Sequence, residues 1–455
     1  MYWGFGSAAV LFQENRVTKA VSEERFNRIK NEDTFPLKSI EYCLSGLSKG
    51  NESIDAVAIP SRSSNYWYSL KRKGKWTIDD YIEEQHKYWF PKLIEGKEVD
   101  ELSYLTHCID TDQYPSSFWT ESLKNKQIAD DFNNKYLLRI IADALKVDEK
   151  IIHRIDHHRC HAYYGYYASP FRNRPVMVMT IDGWGDDSNA SINIFDEKGS
   201  CKRIFSSKEA NIGRIYRYVT LILGMKPNEH EYKVMGLAPY SKDEITKKAY
   251  DVFKSTLYVD GVEFKWNIKP SDCYFWFKEK LEGCRFDGIA SGMQRWTEEL
   301  LCDWVRNAIN ELGVNDVILS GGVAMNIKAN CEIAKLPEVK SFFVPGAPSD
   351  DSLAIGAAYA LTEDVTMASG LKWNASSKPF IENLYLGPIN SYEDEQMAIK
   401  KIDSEKWEVL RDFSASDLAN LLAEGKIIAR CAGRMEFGAR ALCNRSIFAD
   451  PIHME

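Results

Sequence analysis

The sequence predicts an α/β fold, and three observations support this class. Residues 176–181 are almost continuously apolar, as expected for a strand that is covered on both faces. Residues 314–330 and 339–361 each contain an apolar strand pattern, a glycine-containing turn and a helical pattern. Apolar residues also recur at helical spacing through 291–313. Strands that alternate with helices in this way are typical of α/β proteins.

Further elements are predicted before this core. They are two strands joined by a turn, a short amphipathic helix and a buried strand, at 7–12, 16–21, 37–47 and 55–60. Residues 62–150 are polar and aromatic and end in a helical pattern, so we interpret them as an insertion. Within the insertion, residues 66–76 mix aromatic and basic side chains, which predicts either a solvated loop or a surface for an anionic acceptor.

Composition excludes several classes of protein. A net charge of -8 argues against general affinity for nucleic acid. The sequence has neither the apolar run of roughly 20 residues that spans a bilayer nor a signal-peptide pattern at its start. The 10 cysteines include no CxxC pair and therefore predict reduced thiols. We expect a cytoplasmic protein with no nucleic-acid and no membrane partner.

Histidines cluster in one short segment of the chain. Four of the 8 histidines lie between His153 and His161. On a helix, the spacing of His157 and His161 places both imidazoles on one face, where they can bind one metal ion. A carboxylate from elsewhere is the usual complement of such a pair. The alternative is a polar helix end whose histidines have ordinary hydrogen-bond partners.

Glycine-rich turns follow three apolar strand patterns and offer backbone amides to a phosphate. The turns begin at Asp182-Gly183, at Gly321-Gly322 and near Asp350. Strand-to-helix turns often use glycine, so each turn alone indicates little. The three together predict a two-lobed nucleotide site. The sequence contains neither the P-loop motif nor the dinucleotide fingerprint, which disfavours both of those classes.

Two charged segments complete the candidates. Residues 229–240 predict a charged loop that contains Lys233. Beyond a boundary near residue 382, the sequence predicts a helix at 414–425 and a buried strand at 426–433. The loop after that strand carries three arginines that could clamp a phosphate or a carboxylate, with a surface salt-bridge cluster as the alternative. These are Arg434, Arg440 and Arg445.

Seven phrases along the chain, in this order, resemble the NodU/CmcH-type O-carbamoyltransferases. They are SEERFNRIKNEDTFP, DHHRCHAYYGYYASPF, TIDGWGDDSNASI, EYKVMGLAPY, LSGGVAMNIKAN, DDSLAIGAA and GRMEFGARALCNRSIFADP. The resemblance implies an actin/Hsp70-type (ASKHA) domain over residues 1–382, followed by the start of a YrdC-like α/β domain over residues 383–455. It also implies that carbamoyl phosphate and ATP yield carbamoyl adenylate, whose carbamoyl group passes to an acceptor hydroxyl.

The resemblance assigns roles to individual residues. It implies that His157, His161 and Asp350 bind a divalent metal, which iron, zinc or manganese would suit, and that Mg accompanies ATP. Asp182 matches the acid of the first turn, and Lys233 is the candidate for countering negative charge at the reacting centre. The expected catalytic residues are Lys233, Asp182 and His157. The residues expected to face ATP or carbamoyl phosphate are Gly183, Gly321, Gly322, Asn326, Arg434, Arg440 and Arg445.

The sequence also departs from the family pattern. Its start lacks the usual His-Asp pair, and Ala439 and Cys443 replace a proline and a glycine of the arginine signature. Relatives continue well past ADP at 449–451, so we expect that both ends are trimmed. The leading hypothesis is carbamoyl transfer to a sugar, glycan or secondary-metabolite hydroxyl. We expect the protein to form a homodimer and to have neither nucleic-acid nor membrane partners. The alternative is an inactive or partner-dependent nucleotide-binding remnant.

Overall fold

The computed structural model describes residues 1–47, 54–62, 73–99, 137–411 and 413–452. Its strands are β1 (Ala8–Gln13), β2 (Arg16–Ser22), β3 (Val57–Ile59), β4 (Ile152–Arg154), β5 (Val176–Gly185), β6 (Ser188–Phe195), β7 (Cys201–Ser207), β8 (Leu257–Asp260), β9 (Glu263–Trp266), β10 (Asp316–Ser320), β11 (Ser341–Phe343), β12 (Ile428–Cys431) and β13 (Arg445–Phe448). Residues 66–72 and most of the predicted insertion lie outside the described residues.

Helices connect these strands. They are α1 (Glu24–Asn27), α2 (Leu37–Leu44), α3 (Ile78–Glu84), which continues as a π-helix (Gln85–Ile94), α4 (Leu137–Leu145), α5 (His157–Ala168), α6 (Ile212–Ile222), α7 (Glu231–Leu237), α8 (Asp243–Lys254), α9 (Phe275–Lys280), α10 (Phe286–Leu312), α11 (Ile327–Ala334), α12 (Leu353–Ala368), α13 (Tyr392–Ile399) and α14 (Ala415–Ala423). Within the described residues, none of these helices is both long and apolar enough to cross a membrane.

A five-stranded mixed sheet organises the larger part of the molecule. Its strand order is β11-β10-β5-β6-β7. Strands β5, β6 and β7 pair antiparallel, whereas β10 and β11 extend the sheet in parallel with β5. The α/β prediction is confirmed, and this topology is the one expected for a lobe of an actin/Hsp70-type domain.

Strand β5 divides the hydrophobic core between the two faces of this sheet. Met177 and Met179 belong to a cluster that includes Trp296 and Trp304 of α10. Val178 points to the opposite face and joins a cluster built largely from α5 and α12. Burial on both faces explains why the strand has almost no polar residues before Asp182.

The N-terminal elements form a second, smaller core. The predicted hairpin is confirmed, because β1 pairs antiparallel with β2. Strand β3 pairs in parallel with β4, and α2 and α4 pack in the cluster that contains Ile40 and Ile141.

Residues 229–240 differ from the prediction, since they form α7 and a following 3-10 turn rather than a loop. Val234 is buried in the core, and that contact favours the helix.

The C-terminal region is built differently. The helix predicted at 414–425 is confirmed as α14, whose N-cap Ser414 forms a capping box with Asp417. The strand predicted at 426–433 forms as β12, but the prediction that it is buried is wrong. Its residues alternate between half-buried and exposed, and it pairs with β13 in a two-stranded ribbon. None of the described residues in 388–435 is buried. The domain limits predicted from the sequence stay predictions.

Candidate functional site

Helix α5 positions the two histidines predicted to bind a metal. The carboxylate of its N-cap residue, Asp156, accepts a hydrogen bond from the backbone N–H of Arg159 at 2.8 Å. Asp186 accepts another from the backbone N–H of His157 at 2.8 Å. These acids satisfy amides that have no partner inside the helix. Because the helix forms here as predicted, His157 and His161 lie one turn apart on the same face.

Two carboxylates meet this pair of histidines. His157 Nε2 lies 3.1 Å from Asp182 Oδ2, and His161 Nε2 lies 3.4 Å from Asp350 Oδ1. One ligand atom from each of the four side chains lies within 4.8 Å of every other. Asp182 comes from β5, beyond the last residue that pairs with β10, and Asp350 precedes α12. We call these four residues the His-Asp cluster.

The protein holds one oxygen of each carboxylate and leaves the other facing the histidines. Tyr2 donates its hydroxyl hydrogen to Asp350 Oδ2 at 2.9 Å. The backbone N–H of Gly322 donates to Asp182 Oδ1 at 2.9 Å. Both nitrogens of His161 and the Oδ1 atom of Asp350 are buried and have no hydrogen-bond partner among the described residues. Two imidazole nitrogens and two carboxylate oxygens suit a divalent metal, so these residues fit the metal that the resemblance implies.

The electrostatics of the cluster favour a bound positive charge. Burial lowers the pKa of His161, but its contacts with Asp182 and Asp350 outweigh burial and raise that pKa to about 9. Burial likewise opposes ionisation of Asp182, yet its hydrogen bond with His157 and the nearby imidazole of His161, whose Nε2 lies 3.8 Å away, hold its pKa well below its usual range. A proton on an imidazole, or a cation between the four side chains, therefore stabilises the Asp182 carboxylate as an anion.

The neighbouring His158 does not belong to the cluster. Its Nδ1 atom lies 2.7 Å from the hydroxyl of Thr180, which in turn contacts Ser191. Burial, together with the nearby His157 and His161, lowers the pKa of His158 to about 3. This imidazole is therefore neutral and packs against the sheet.

The predicted glycine turns lie together beside the cluster. Gly321 has φ of +101°, and a Cβ atom there would come within 2.2 Å of the carbonyl oxygen of Ile181. A Cβ on Gly322 would lie 2.6 Å from Asp182 Oδ1. Glycine at both positions lets the second turn lie directly on the first. Gly183 has open space on its Cβ side, as expected for a residue that faces a ligand.

Asn326 and Lys233 lie apart from this arrangement. Asn326 caps α11, where its Oδ1 accepts from Ala329 N–H and its Nδ2 donates to Gln294, so both ends of its amide are occupied. Lys233 is exposed on α7, with its ammonium 5.9 Å from the centre of the Tyr232 ring. No contact among the described residues joins Lys233 to the His-Asp cluster, and its catalytic role stays a prediction.

The three C-terminal arginines have different surroundings. Arg434 donates to the carbonyl oxygens of Thr18, Leu386 and Gly387 and to the hydroxyl of Tyr42. It thereby ties the C-terminal region to β2 and α2.

Arg445 also binds backbone, because it donates to the carbonyl oxygens of Ala432, Gly433 and Asn444. Arg440 is exposed, and its guanidinium lies 5.4 Å from the Tyr232 ring centre. In this structure the guanidinium groups of Arg434 and Arg445 therefore stabilise the backbone around them through hydrogen bonds to carbonyl oxygens. Their joint role as an anion clamp stays a prediction.

The sequence pattern missed several supporting residues. Asp182 was expected to act on phosphate or in catalysis, whereas the geometry also makes it a fourth potential metal ligand. The role of Tyr2 has no sequence signature, because the residue lies far from Asp350 along the chain. Asp186 could have been found as an acid beside Asp182, but its contact with the start of α5 depends on tertiary packing.

Two family descriptions match the chain. The carbamoyltransferase N-terminus matches residues 2–359, and the carbamoyltransferase C-terminus matches residues 419–455. The first match covers more than half of the chain, so this protein belongs to the carbamoyltransferase family. The family expected from the seven phrases is confirmed.

Individual proteins show the range of similarity. An uncharacterized protein of Methanocaldococcus jannaschii is 31% identical over 88% of this chain and 68% of its own length. The 3'-hydroxymethylcephem-O-carbamoyltransferase of Amycolatopsis lactamdurans is 30% identical over 65% of this chain and 54% of its own length. The activator of 2-hydroxyisocaproyl-CoA dehydratase from Clostridium difficile, solved with ADPNP, is 16% identical over 52% of this chain and 84% of its own, with a TM-score of 0.33.

Proposed function

We propose that this protein transfers a carbamoyl group from carbamoyl phosphate, through carbamoyl adenylate, to the hydroxyl of a sugar, glycan or secondary metabolite in an ATP-dependent reaction. Membership of the carbamoyltransferase family supports the transfer chemistry. The observation that supports the mechanism is the His-Asp cluster beside the Asp182 and Gly321 turns. A nucleotide bound at these turns would have its phosphates next to the cluster.

The His-Asp cluster would hold the divalent metal. When bound, iron, zinc or manganese would act as a Lewis acid on phosphate or carbamoyl oxygens. The protein orients both carboxylates in advance, through Tyr2 and the Gly322 amide, and so limits the reorganisation that binding requires. Burial of His157 and His161 keeps water away from the reacting group, which matters because carbamoyl adenylate is labile in water.

Other residues would act on the phosphates. The open side of Gly183 lets backbone approach an oxyanion closely, and Mg would accompany ATP there. Lys233 and Arg440 are proposed to counter negative charge, and both approach the ring of Tyr232. Lys30 approaches the same ring at 5.4 Å, so three cations from distant parts of the chain meet at one place. That concentration of positive charge suits a phosphorylated substrate.

A second candidate is a nucleotide-binding chain that depends on a partner polypeptide for its carbamoyl-phosphate site. Two observations favour it: none of the described residues in 388–435 is buried, and Arg434 and Arg445 bind backbone carbonyls. A region without a buried core has little hydrophobic stabilisation of its own. The cytoplasmic location, the homodimer and the lack of nucleic-acid partners stay predictions.

The test combines metal analysis with release of AMP. The double variant His157→Ala/His161→Ala should lose its bound metal and its AMP release from ATP and carbamoyl phosphate, while its circular dichroism stays unchanged. His153→Ala, on β4, is the matched control and should keep both properties. If the double variant keeps the metal content of the wild type, the assignment of the site is wrong. If the wild type binds metal and ATP but releases no AMP, the binding-only candidate replaces catalysis.

A further inference from the structure

A pocket lies between the described part of the insertion and the larger core. It has a volume of about 190 Å³. Its walls come from the π-helix that follows α3, from the start of α6, and from the segment between β9 and α9. That volume is below the roughly 300–1,000 Å³ typical of sites for drug-sized ligands, so the pocket suits a single ring. We call it the insertion pocket.

Aromatic rings form much of its wall. Trp89, Tyr218, Trp266 and Tyr274 all line it, and Trp89 and Trp266 are half-buried. Glu209 fixes one of these rings, because its carboxylate accepts from the indole N–H of Trp266. Glu209 also binds the ammonium of Lys269 at 2.8 Å. The indole of Trp266 is thereby held in one orientation before any ligand arrives.

Polar groups without partners face the same space. Gln85 lines the pocket, is only 3% exposed, and has no hydrogen bond to its side-chain amide among the described residues. Arg214 also lines the pocket and forms no hydrogen bond or ion pair within the described parts of the chain. The amide atoms of Gln85 are not sealed from solvent and the Arg214 side chain is exposed, so both groups can exchange water for a ligand in the pocket. A ligand with both donors and acceptors could bind the two groups together.

The combination of groups identifies the class of ligand. A sugar ring has an apolar C–H face that can pack on the negative face of an indole, and a rim of hydroxyls that both donate and accept. The Gln85 amide can do both, and the guanidinium of Arg214 can donate two parallel hydrogen bonds. A purely apolar ligand would leave these groups without partners, and a simple anion would not use the aromatic walls.

The pocket is connected to the His-Asp cluster through one close backbone contact. Asn211 and Arg214 of its wall flank Gly213 at the start of α6. A Cβ on Gly213 would lie 3.3 Å from Gly183 Cα, the residue that follows Asp182. A ring in the insertion pocket therefore sits on the other side of the turn that contributes to the cluster.

We propose that the insertion pocket binds a sugar ring of the carbamoyl acceptor, with Trp266 as the stacking surface and Gln85 and Arg214 as hydrogen-bonding groups. This inference rests on the proposed function, since it names the class of acceptor for that reaction. It makes the acceptor a carbohydrate, or a metabolite that carries one, and places its recognition in the insertion.

Binding of simple glycosides tests the proposal. Saturation-transfer NMR of the full chain with the methyl glycosides of glucose, N-acetylglucosamine and glucuronic acid, without nucleotide, should show contact for at least one. Gln85→Leu and Trp266→Ala should each weaken that binding about tenfold or more. Trp407→Ala changes an exposed tryptophan outside the pocket and serves as the control.

Stability supplies an independent readout. Gln85→Leu replaces an amide that has no hydrogen bond among the described residues with an apolar side chain of similar size, so it should not lower the melting temperature while it weakens sugar binding. If Gln85 had only a structural role, the same change would lower the melting temperature. Lack of binding to all three glycosides, or binding that Gln85→Leu leaves unchanged, overturns the proposal. If the wild type releases no AMP from ATP and carbamoyl phosphate, the proposed function is refuted instead, because formation of carbamoyl adenylate precedes acceptor recognition.

Discussion

The His-Asp cluster and the C-terminal arginine segment make an instructive contrast. Both are built from charged or potentially metal-binding residues of the family phrases, three phrases for the cluster and one for the arginine segment. In the first, four side chains from three elements converge, and buried nitrogen and oxygen atoms have no hydrogen-bond partner among the described residues. In the second, Arg434 and Arg445 have backbone carbonyls as partners. The presence of reactive residue types therefore indicates a site only where their polar atoms are left available to a ligand.

Asp182→Asn is the strongest way to break this contrast, because it removes a charge from the centre of the cluster. The amide oxygen can still accept from Gly322, so the fold should persist. Metal affinity should fall by about a hundredfold or more, since a neutral amide is a poor replacement for a carboxylate ligand. Competition titration with a metal-sensitive dye measures the change. Asp187→Asn, at an exposed position of the same hairpin, should have no effect.

Arg434→Ala tests the other half of the contrast. Loss of its hydrogen bonds to backbone carbonyls should lower the free energy of unfolding by about 2–4 kcal/mol. Chemical denaturation measures this change. Arg440→Ala is the matched variant, because Arg440 forms no hydrogen bond among the described residues, and it should leave stability within about 0.5 kcal/mol.

The opposite result, an unchanged stability of Arg434→Ala, would support the predicted role of these arginines in binding a phosphate or a carboxylate. If Arg434→Ala keeps its stability but needs much more carbamoyl phosphate for AMP release, Arg434 binds substrate and the contrast fails. Loss of carbamoyl-phosphate use in Arg440→Ala alone would instead place the phosphate near Tyr232.

Tyr2→Phe has the smallest expected effect and sharpens the description of the cluster. Burial, followed by the charge of Asp350, raises the pKa of Tyr2 well above its usual value, so the hydroxyl stays protonated and donates to Asp350. Without this donor the carboxylate is less well oriented, and metal affinity should fall about tenfold. The same titration measures it, with Tyr240→Phe at an exposed position as control. An unchanged affinity would show that Tyr2 only fills space.

Local patterns predicted the parts of the molecule that depend on neighbours along the chain. The spacing of His157 and His161 determines their common face once α5 forms. The apolar run of β5 predicted a strand buried on both sides, and the helix predicted at 414–425 forms as α14. These predictions succeeded because helix caps, helical spacing and strand burial act over a few residues.

The sequence alone determined the family and the α/β class, and it predicted three of the four potential metal ligands, since each of these depends on residue types at short spacing. Tertiary structure decided which groups are available to a ligand. Asp182 becomes a fourth potential ligand because β5 ends beside α5. The guanidinium of Arg434 is less available to an anion because it donates hydrogen bonds to the carbonyl oxygens of Thr18 and Leu386. Gln85, which has no hydrogen bond among the described residues, lines a pocket whose other walls lie more than a hundred residues away along the chain. Hydrogen-bond partners over such distances depend on packing, which no local pattern contains.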